Sequence, residues 1–316
     1  MKSLFFFLTA FLYVGLLLAQ PDITESEIKG HIAFLSAEKN GGRYPGTKGS
    51  KRVERYLVKD FKGIGLRAFN AGYKQKFEAV LRADTDVKPT VKTCNILGYI
   101  EGNDLKLKHE YIVLGAHYDH LGLGGPSSKS DKKNAIHYGA DDNASGTAAL
   151  LEIAEKLVLQ QQNLKRSIIF IAFGAEEQGL LGSKYFVEHP LVPLSQIKLM
   201  INMDMVGRLN AKKQVFMGGA GTFPDGVSFM ETLGPPLGLN PAVHPGSVGG
   251  SDHVSFYKKN ISVLGIHTGG HPQYHTPEDT LERINIEGEK QVCEYIFQAI
   301  LQKASSQEPL YFINQD

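Results

Sequence analysis

The chain has 316 residues, 34 Lys+Arg against 33 Asp+Glu, and 42% hydrophobic residues. These globular values exclude a collagen-like, mostly disordered or multi-span membrane protein, and a net charge of +1 argues against electrostatic capture of nucleic acid. Two cysteines, Cys94 and Cys293, are too few for a Cys-rich zinc module or a disulfide framework; they leave one disulfide or two buried thiols.

Lys2 precedes an uncharged apolar run over residues 4–18, and Ala19 offers a small residue for cleavage. This is the pattern of a secretory signal peptide, and the run is short for a bilayer span. Removal of residues 1–19 is therefore expected, giving a secreted or periplasmic chain with no stable membrane anchor. Residues 23–36 carry Ile28, Ile32 and Leu35 at helical spacing, with Thr24 and Ser26 available as caps. Residues 40–50 read as a Gly/Pro loop, 51–63 as a helix, and 74–83 and 95–100 as strands. A βα rhythm follows: strand 111–116, a long loop over 122–138, helix 144–160, strand 167–173 and a helix from about Gly179. Strands 199–203 and 261–266 and a last helix over 286–304 complete it. Strands apolar on both faces, alternating with helices, imply an α/β fold: a three-layer αβα sandwich around a mixed, mostly parallel sheet. No repeat or linker is visible, so residues 20–316 read as one domain with 20–93 as an amino-terminal helical and strand portion packed on it.

In open α/β sheets the ligand sits beyond the carboxyl ends of the strands. His117, Asp119 and His120 follow strand 111–116, and Asp141 and Asp142 close the long loop. Glu176 and Glu177 follow strand 167–173, Asp204 follows 199–203, and His271 and His275 lie beyond 261–266. Each has a structural reading on its own: Asp204 or Asp142 as a helix cap, Glu176 and Glu177 as acids at a helix start. Those separate readings do not explain why several strand ends deliver imidazoles and carboxylates to one rim.

Imidazole and carboxylate are zinc ligands, and two metals about 3.5–4 Å apart need a bridging carboxylate. His117, a terminal carboxylate and a shared Asp suit one ion; His275, a second carboxylate and the same Asp suit the other. Two Zn²⁺, three carboxylates and one hydroxide sum to neutrality, so the cluster can be buried without a large Born cost. Adjacent residues point apart, so one of Glu176 and Glu177 stays unligated and can move a proton from water to a leaving amine. Zinc lowers the pKa of its water toward about 7, which implies hydrolysis of an amide. Asp119 lies on the same side of the chain as His117 and is a candidate to orient that ring. Thr276-Pro277-Glu278-Asp279 reads as a helix start with Pro at the first position, making Asp279 structural.

Several segments together resemble a known family. They are His117-Tyr118-Asp119-His120, Gly139 to Gly146 (G-A-D-D-N-A-S-G), Gly174-Ala175-Glu176-Glu177-Gln178-Gly179, Asn202-Met203-Asp204, and Tyr274-His275-Thr276-Pro277-Glu278-Asp279-Thr280. In this order they are similar to the motifs of the secreted di-zinc aminopeptidases, relatives of glutamate carboxypeptidases and glutaminyl cyclases. The resemblance runs from about Ile28 to the last helix and includes Arg43 to Ser50. It implies a zinc-exopeptidase-like fold and two Zn²⁺ ions held by His117, Asp142, Glu177, Asp204 and His275, with Asp142 as the bridge. It implies Glu176 as general base, and peptide substrates with a free N-terminus that lose their terminal residue. Tyr274 matches a Tyr that helps stabilise the oxyanion in some members. Others carry that Tyr before Ser-Asp-His, where this chain has Val248-Gly249-Gly250 before Ser251-Asp252-His253. The alternatives on this fold are a carboxypeptidase, with Arg43 or Arg208 in a basic pocket, and a glutaminyl cyclase, which usually keeps one zinc. A non-catalytic ectodomain is disfavoured by the intact ligand set.

Overall fold

A computed structural model of the chain describes residues 22–82, 88–246 and 249–315. The expected signal peptide lies outside the described residues. Thr24 opens α1 (Glu25–Leu35) by accepting the Glu27 N–H at 3.2 Å. Thr47 does the same for α2 (Lys48–Ile64) through the Ser50 N–H at 3.1 Å, so α2 begins inside the stretch read as loop. Gly65, left-handed at φ 92°, ends α2.

β1 (Lys74–Val80) pairs antiparallel with β2 (Thr90–Ile100), and the boundary read at residue 93 falls inside β2. β3 (Tyr111–His117), α3 (Gly146–Val158), β4 (Ser167–Phe173), α4 (Leu181–Glu188) and β5 (Ile197–Met203) follow. β6 (Gln214–Gly218), α5 (Gly226–Leu233), β7 (Asn240–Val243) and α6 (His253–Tyr257) occupy a stretch for which no element was expected. β8 (Ser262–His267) and α7 (Ile286–Ser305) close the fold. No helix starts at Pro277; only a short 3-10 turn follows at Leu281–Arg283, which corrects the helix-start reading of 276–279.

The eight strands form one sheet in the order β1-β2-β4-β3-β5-β8-β6-β7. Pairings along β4-β3-β5-β8 are parallel, while β2–β4 and β6–β8 are antiparallel. Alternate residues of the central strands enter two cores. Ile112, Leu114, Ile168 and Phe170 pack with residues of α1, α2, α3 and α7 on one face. Val113, Ile169, Ile171 and Met200 pack with Phe186 of α4 and Phe256 of α6 on the other. Full burial of each such side chain contributes roughly 1.5–3 kcal/mol, which is why these strands sit in the middle of the sheet. Cys94 and Cys293 are separate buried thiols. Among the described residues no helix is long and apolar enough to cross a membrane.

Candidate metal centre

Parallel pairing aligns the strand ends. His117 stands opposite Phe173, Gly115 opposite Asn202, and Asn202 opposite Gly265. His117, Glu176, Glu177 and Asp204 therefore emerge at one rim. Asp142 hangs from the turn Ala140–Ser145 before α3. The Asp279 carboxylate fixes that turn by accepting the N–H of Asp141 and of Asp142, each at 3.0 Å. Asn143 ties it to β5, donating to the Met203 carbonyl at 2.9 Å and accepting from Met205 N–H at 3.3 Å. His275 comes from the loop after β8, and its Nδ1 faces the Ser127 carbonyl at 2.8 Å. Ser127 belongs to the long loop read over 122–138, and Lys129 of that loop donates its N–H to the His275 carbonyl at 3.0 Å.

Asp142 divides its two oxygens between two histidines. Oδ1 lies 3.4 Å from His117 Nε2, and Oδ2 lies 3.1 Å from His275 Nε2. Asp204 Oδ1 completes the first group at 3.4 Å from His117 Nε2. Glu177 Oε2 completes the second at 3.3 Å from His275 Nε2. His117, Asp142 and Asp204 form one group that can hold an ion; His120, Asp142 and Glu177 form the other, and His275 joins neither group although its Nε2 lies beside Asp142 and Glu177. All five expected ligands are thus brought together. Glu176 borders the same pocket but belongs to neither metal-capable group.

Asp119 does more than sit beside His117. Its carboxylate accepts the backbone N–H of Glu176 at 2.9 Å and of Glu177 at 3.3 Å, which fixes the turn after β4. His117 Nδ1 lies 3.2 Å from the Asp119 carbonyl and 3.9 Å from its carboxylate. The orienting contact is therefore chiefly with the main chain. Tyr274 stacks on the His275 ring at 3.8 Å, under the Lys129 ammonium, and lines the pocket. His120 was visible in H-Y-D-H but carried no expected role; its Nδ1 lies 2.9 Å from Glu177 Oε1.

The electrostatics call for positive charge at the cluster. Burial pulls the His117 imidazole down, but Glu176 and Asp204 reverse this and raise it well above its ordinary value. Burial also opposes the His275 cation, yet Asp142 and Glu177 lift it to about 10. Asp142 is held well below the carboxylate range by His117 and His275, against the cost of its burial. Its Oδ2 is buried without a well-aligned hydrogen bond. Glu177 also stays below the usual range, because His120 and His275 outweigh burial and the Asp142 charge. Glu176 goes the other way: burial, only partly offset by His117, pushes it well up, helped by Glu177, Asp252 and Asp204. Two imidazole nitrogens and three carboxylates converging in a buried cluster form a donor set that fits Zn²⁺.

The pocket encloses about 280 Å³ and is lined by Asp142, Glu176, Glu177 and Asp204 with His117, His253, His267 and His275. No lysine or arginine is among the described residues lining it. Arg43 is fully buried and donates to the carbonyls of Leu35, Tyr118, Tyr138 and Gly139. Arg208 Nη2 donates to Gln273 at 2.9 Å, its Nη1 is buried without a hydrogen-bond partner, and the residue is not among those lining the pocket. Neither forms the basic pocket that a carboxypeptidase reading requires.

An α/β sandwich thus carries a cluster able to hold metal beyond the carboxyl ends of its parallel strands. The chain belongs to peptidase family M28, whose family model matches residues 95–300. It is 30% identical over 245 residues to aminopeptidase YwaD of Bacillus subtilis, covering 74% of this chain and 49% of that protein. This chain thus spans about half the length of that relative. A Zn-dependent exopeptidase from Parabacteroides distasonis superposes with a TM-score of 0.71 at 25% identity, over 90% of this chain and all of the other. A glutaminyl cyclase from Porphyromonas gingivalis shares the fold, with a TM-score of 0.73 at 22% identity over 90% of this chain and 100% of its own.

Proposed function

We propose that this chain is a zinc aminopeptidase that binds two ions and releases the N-terminal residue of peptides. The observation supporting this reading is that no lysine or arginine is among the described residues lining the pocket, which leaves no side-chain cation to pair with a substrate carboxylate. His117, Asp142 and Asp204 would hold one ion, and Asp142, Glu177 and His275 the other. When bound, zinc polarises the scissile carbonyl and makes hydroxide available near neutral pH. Glu176, aimed into the pocket but outside the ligand set, accepts the proton of the attacking water and delivers it to the leaving amine. Tyr274, a pocket-lining residue, would donate a hydrogen bond from its hydroxyl to the developing oxyanion. Three of the four lining acids would be neutralised as metal ligands, so the free α-amine would be held by their unligated oxygens and by Glu176, which fixes the substrate's first residue at the reacting centre.

The test compares free and N-acetylated aminoacyl substrates, with and without chelator. Cleavage of the free series alone, abolished by chelator and restored by zinc, is expected. Equal rates on acetylated substrates would sink the aminopeptidase reading. Cyclisation of N-terminal glutamine with a single bound zinc would favour the cyclase. We further propose export, supported by Lys2 and the apolar run over 4–18; mass spectrometry that finds intact Met1 in the mature protein would refute it.

A further inference from the structure

His120 touches the cluster but has no task in the chemistry above. Its ring is fully buried. Nδ1 lies 2.9 Å from Glu177 Oε1 and 3.8 Å from Asp142 Oδ2. Nε2 is buried with no hydrogen-bond partner. The ring therefore keeps one close polar contact, and that contact is a carboxylate oxygen, which can only accept. The backbone is shaped to admit the ring: Gly139 is left-handed at φ 56°, and a Cβ there would sit 2.5 Å from His120. The ring edge also meets His275, with centroids 5.9 Å apart.

We propose that His120 is a positioning residue: its Nδ1–H pins Glu177 Oε1, so that Oε2 stays turned toward His275 Nε2 and the ion that they share with Asp142. This rests on the two-ion reading. The competing arrangement makes His120 itself a ligand, since its Nδ1, Asp142 and Glu177 lie within mutual reach of one ion. The distances favour the donor role. His275 Nε2 is 3.1 Å from Asp142 Oδ2, whereas His120 Nδ1 is 3.8 Å from it and is already engaged by Glu177 at 2.9 Å. A carboxylate anchored through one oxygen has less freedom to lose when the other takes a cation, so the benefit falls on ion affinity at this half of the centre.

His120→Asn and His120→Gln separate the two roles. The Asn amide nitrogen stands where Nδ1 stands and keeps the donor; the Gln amide nitrogen falls at the Nε2 position and does not reach Oε1. Metal-free protein is titrated with zinc against a chromophoric chelator, and melting temperatures are taken in parallel. His120→Gln should weaken one of two ions by about 10–100-fold, the usual range for losing such a support, while the other ion is unaffected. His120→Asn should restore most of that loss. Equal weakening by both variants would show direct ligation and overturn the donor role. Unchanged affinity in both, or loss of both ions together, would overturn it as well. A wild type that takes up fewer than two ions would overturn the two-ion reading and this one with it, and is read before any variant.

Discussion

Glu176→Gln separates proton transfer from metal binding. Glu176 lines the pocket without a close ion pair to His117 or His275, whereas Glu177 Oε2 lies 3.3 Å from His275 Nε2 and belongs to a metal-capable group. The link from Glu176 N–H to Asp119 at 2.9 Å is main-chain and survives the change. Glutamine matches the side chain in size but cannot take up a proton. Turnover should fall about 10²–10⁴-fold, the usual cost of losing a general base. That corresponds to about 3–5 kcal/mol of barrier at roughly 1.4 kcal/mol per decade. Zinc content should be unchanged. Stability supplies a second check with a definite sign. Burial holds the Glu176 carboxyl well above its ordinary value, so its charge opposes folding at neutral pH. Replacing it should leave the melting temperature of the metal-free protein equal or higher at pH 7. Steady-state hydrolysis of an aminoacyl anilide, with zinc measured by atomic absorption, reads the first two quantities. Near-normal turnover together with a lost ion would refute the reasoning and exchange the roles of the two glutamates.

Other perturbations test the frame around this group. Asp142→Asn should weaken both ions, because Oδ1 faces His117 and Oδ2 faces His275; two tightly held ions in chelator competition would exclude the bridge. His117→Ala and His275→Ala should each empty a different site, and zinc stoichiometry near one per chain in both variants is the expected result. Asp279→Ala removes the acceptor of two backbone N–H groups in the Asp142 turn, at about 1–3 kcal/mol for each buried donor left unpaired. A fall in both melting temperature and zinc affinity should follow, and normal affinity would show that the turn holds Asp142 unaided. Arg43→Lys cannot serve four carbonyls in two directions, so thermal unfolding should drop while KM in the surviving enzyme stays unchanged.

Legibility in the sequence followed how local the determinants were. β4 is readable to its end residues because Ser167–Phe173 is an apolar run buried on both faces, a pattern that needs no knowledge of partners. α2 begins earlier than its periodicity suggests because the Thr47 cap, not the hydrophobic stripe, sets its start. β7 is an edge strand of four residues containing Pro241, and nothing local separates it from a loop. α6 spans only His253–Tyr257, too short to show a period.

The same distinction divides the site. His117 and Asp204 are legible because parallel register carries strand ends to a common rim whatever the loops do. Asp142 and His275 are loop residues whose chemistry can be read but whose placement cannot. Their positions depend on Asp279, Ser127 and Lys129, and on Met203 through Asn143, partners far away in the chain. Three non-glycine residues at the centre also hold left-handed backbone: Ala175 at φ 61°, Met205 at φ 64° and His275 at φ 61°. Such conformations cost on the order of 1–3 kcal/mol each and persist only where the surroundings over-determine them. No residue type announces this in advance. Two of the three directly precede or follow an acid of the site, and the third is the imidazole beside Asp142 and Glu177, so the backbone departs from local preference where the carboxylates and imidazoles converge. The scaffold strands obey local rules, while the centre is assembled by long-range hydrogen bonds that override them. Substitutions in the 122–138 loop should therefore disturb metal binding through His275 without any residue of that loop serving as a ligand.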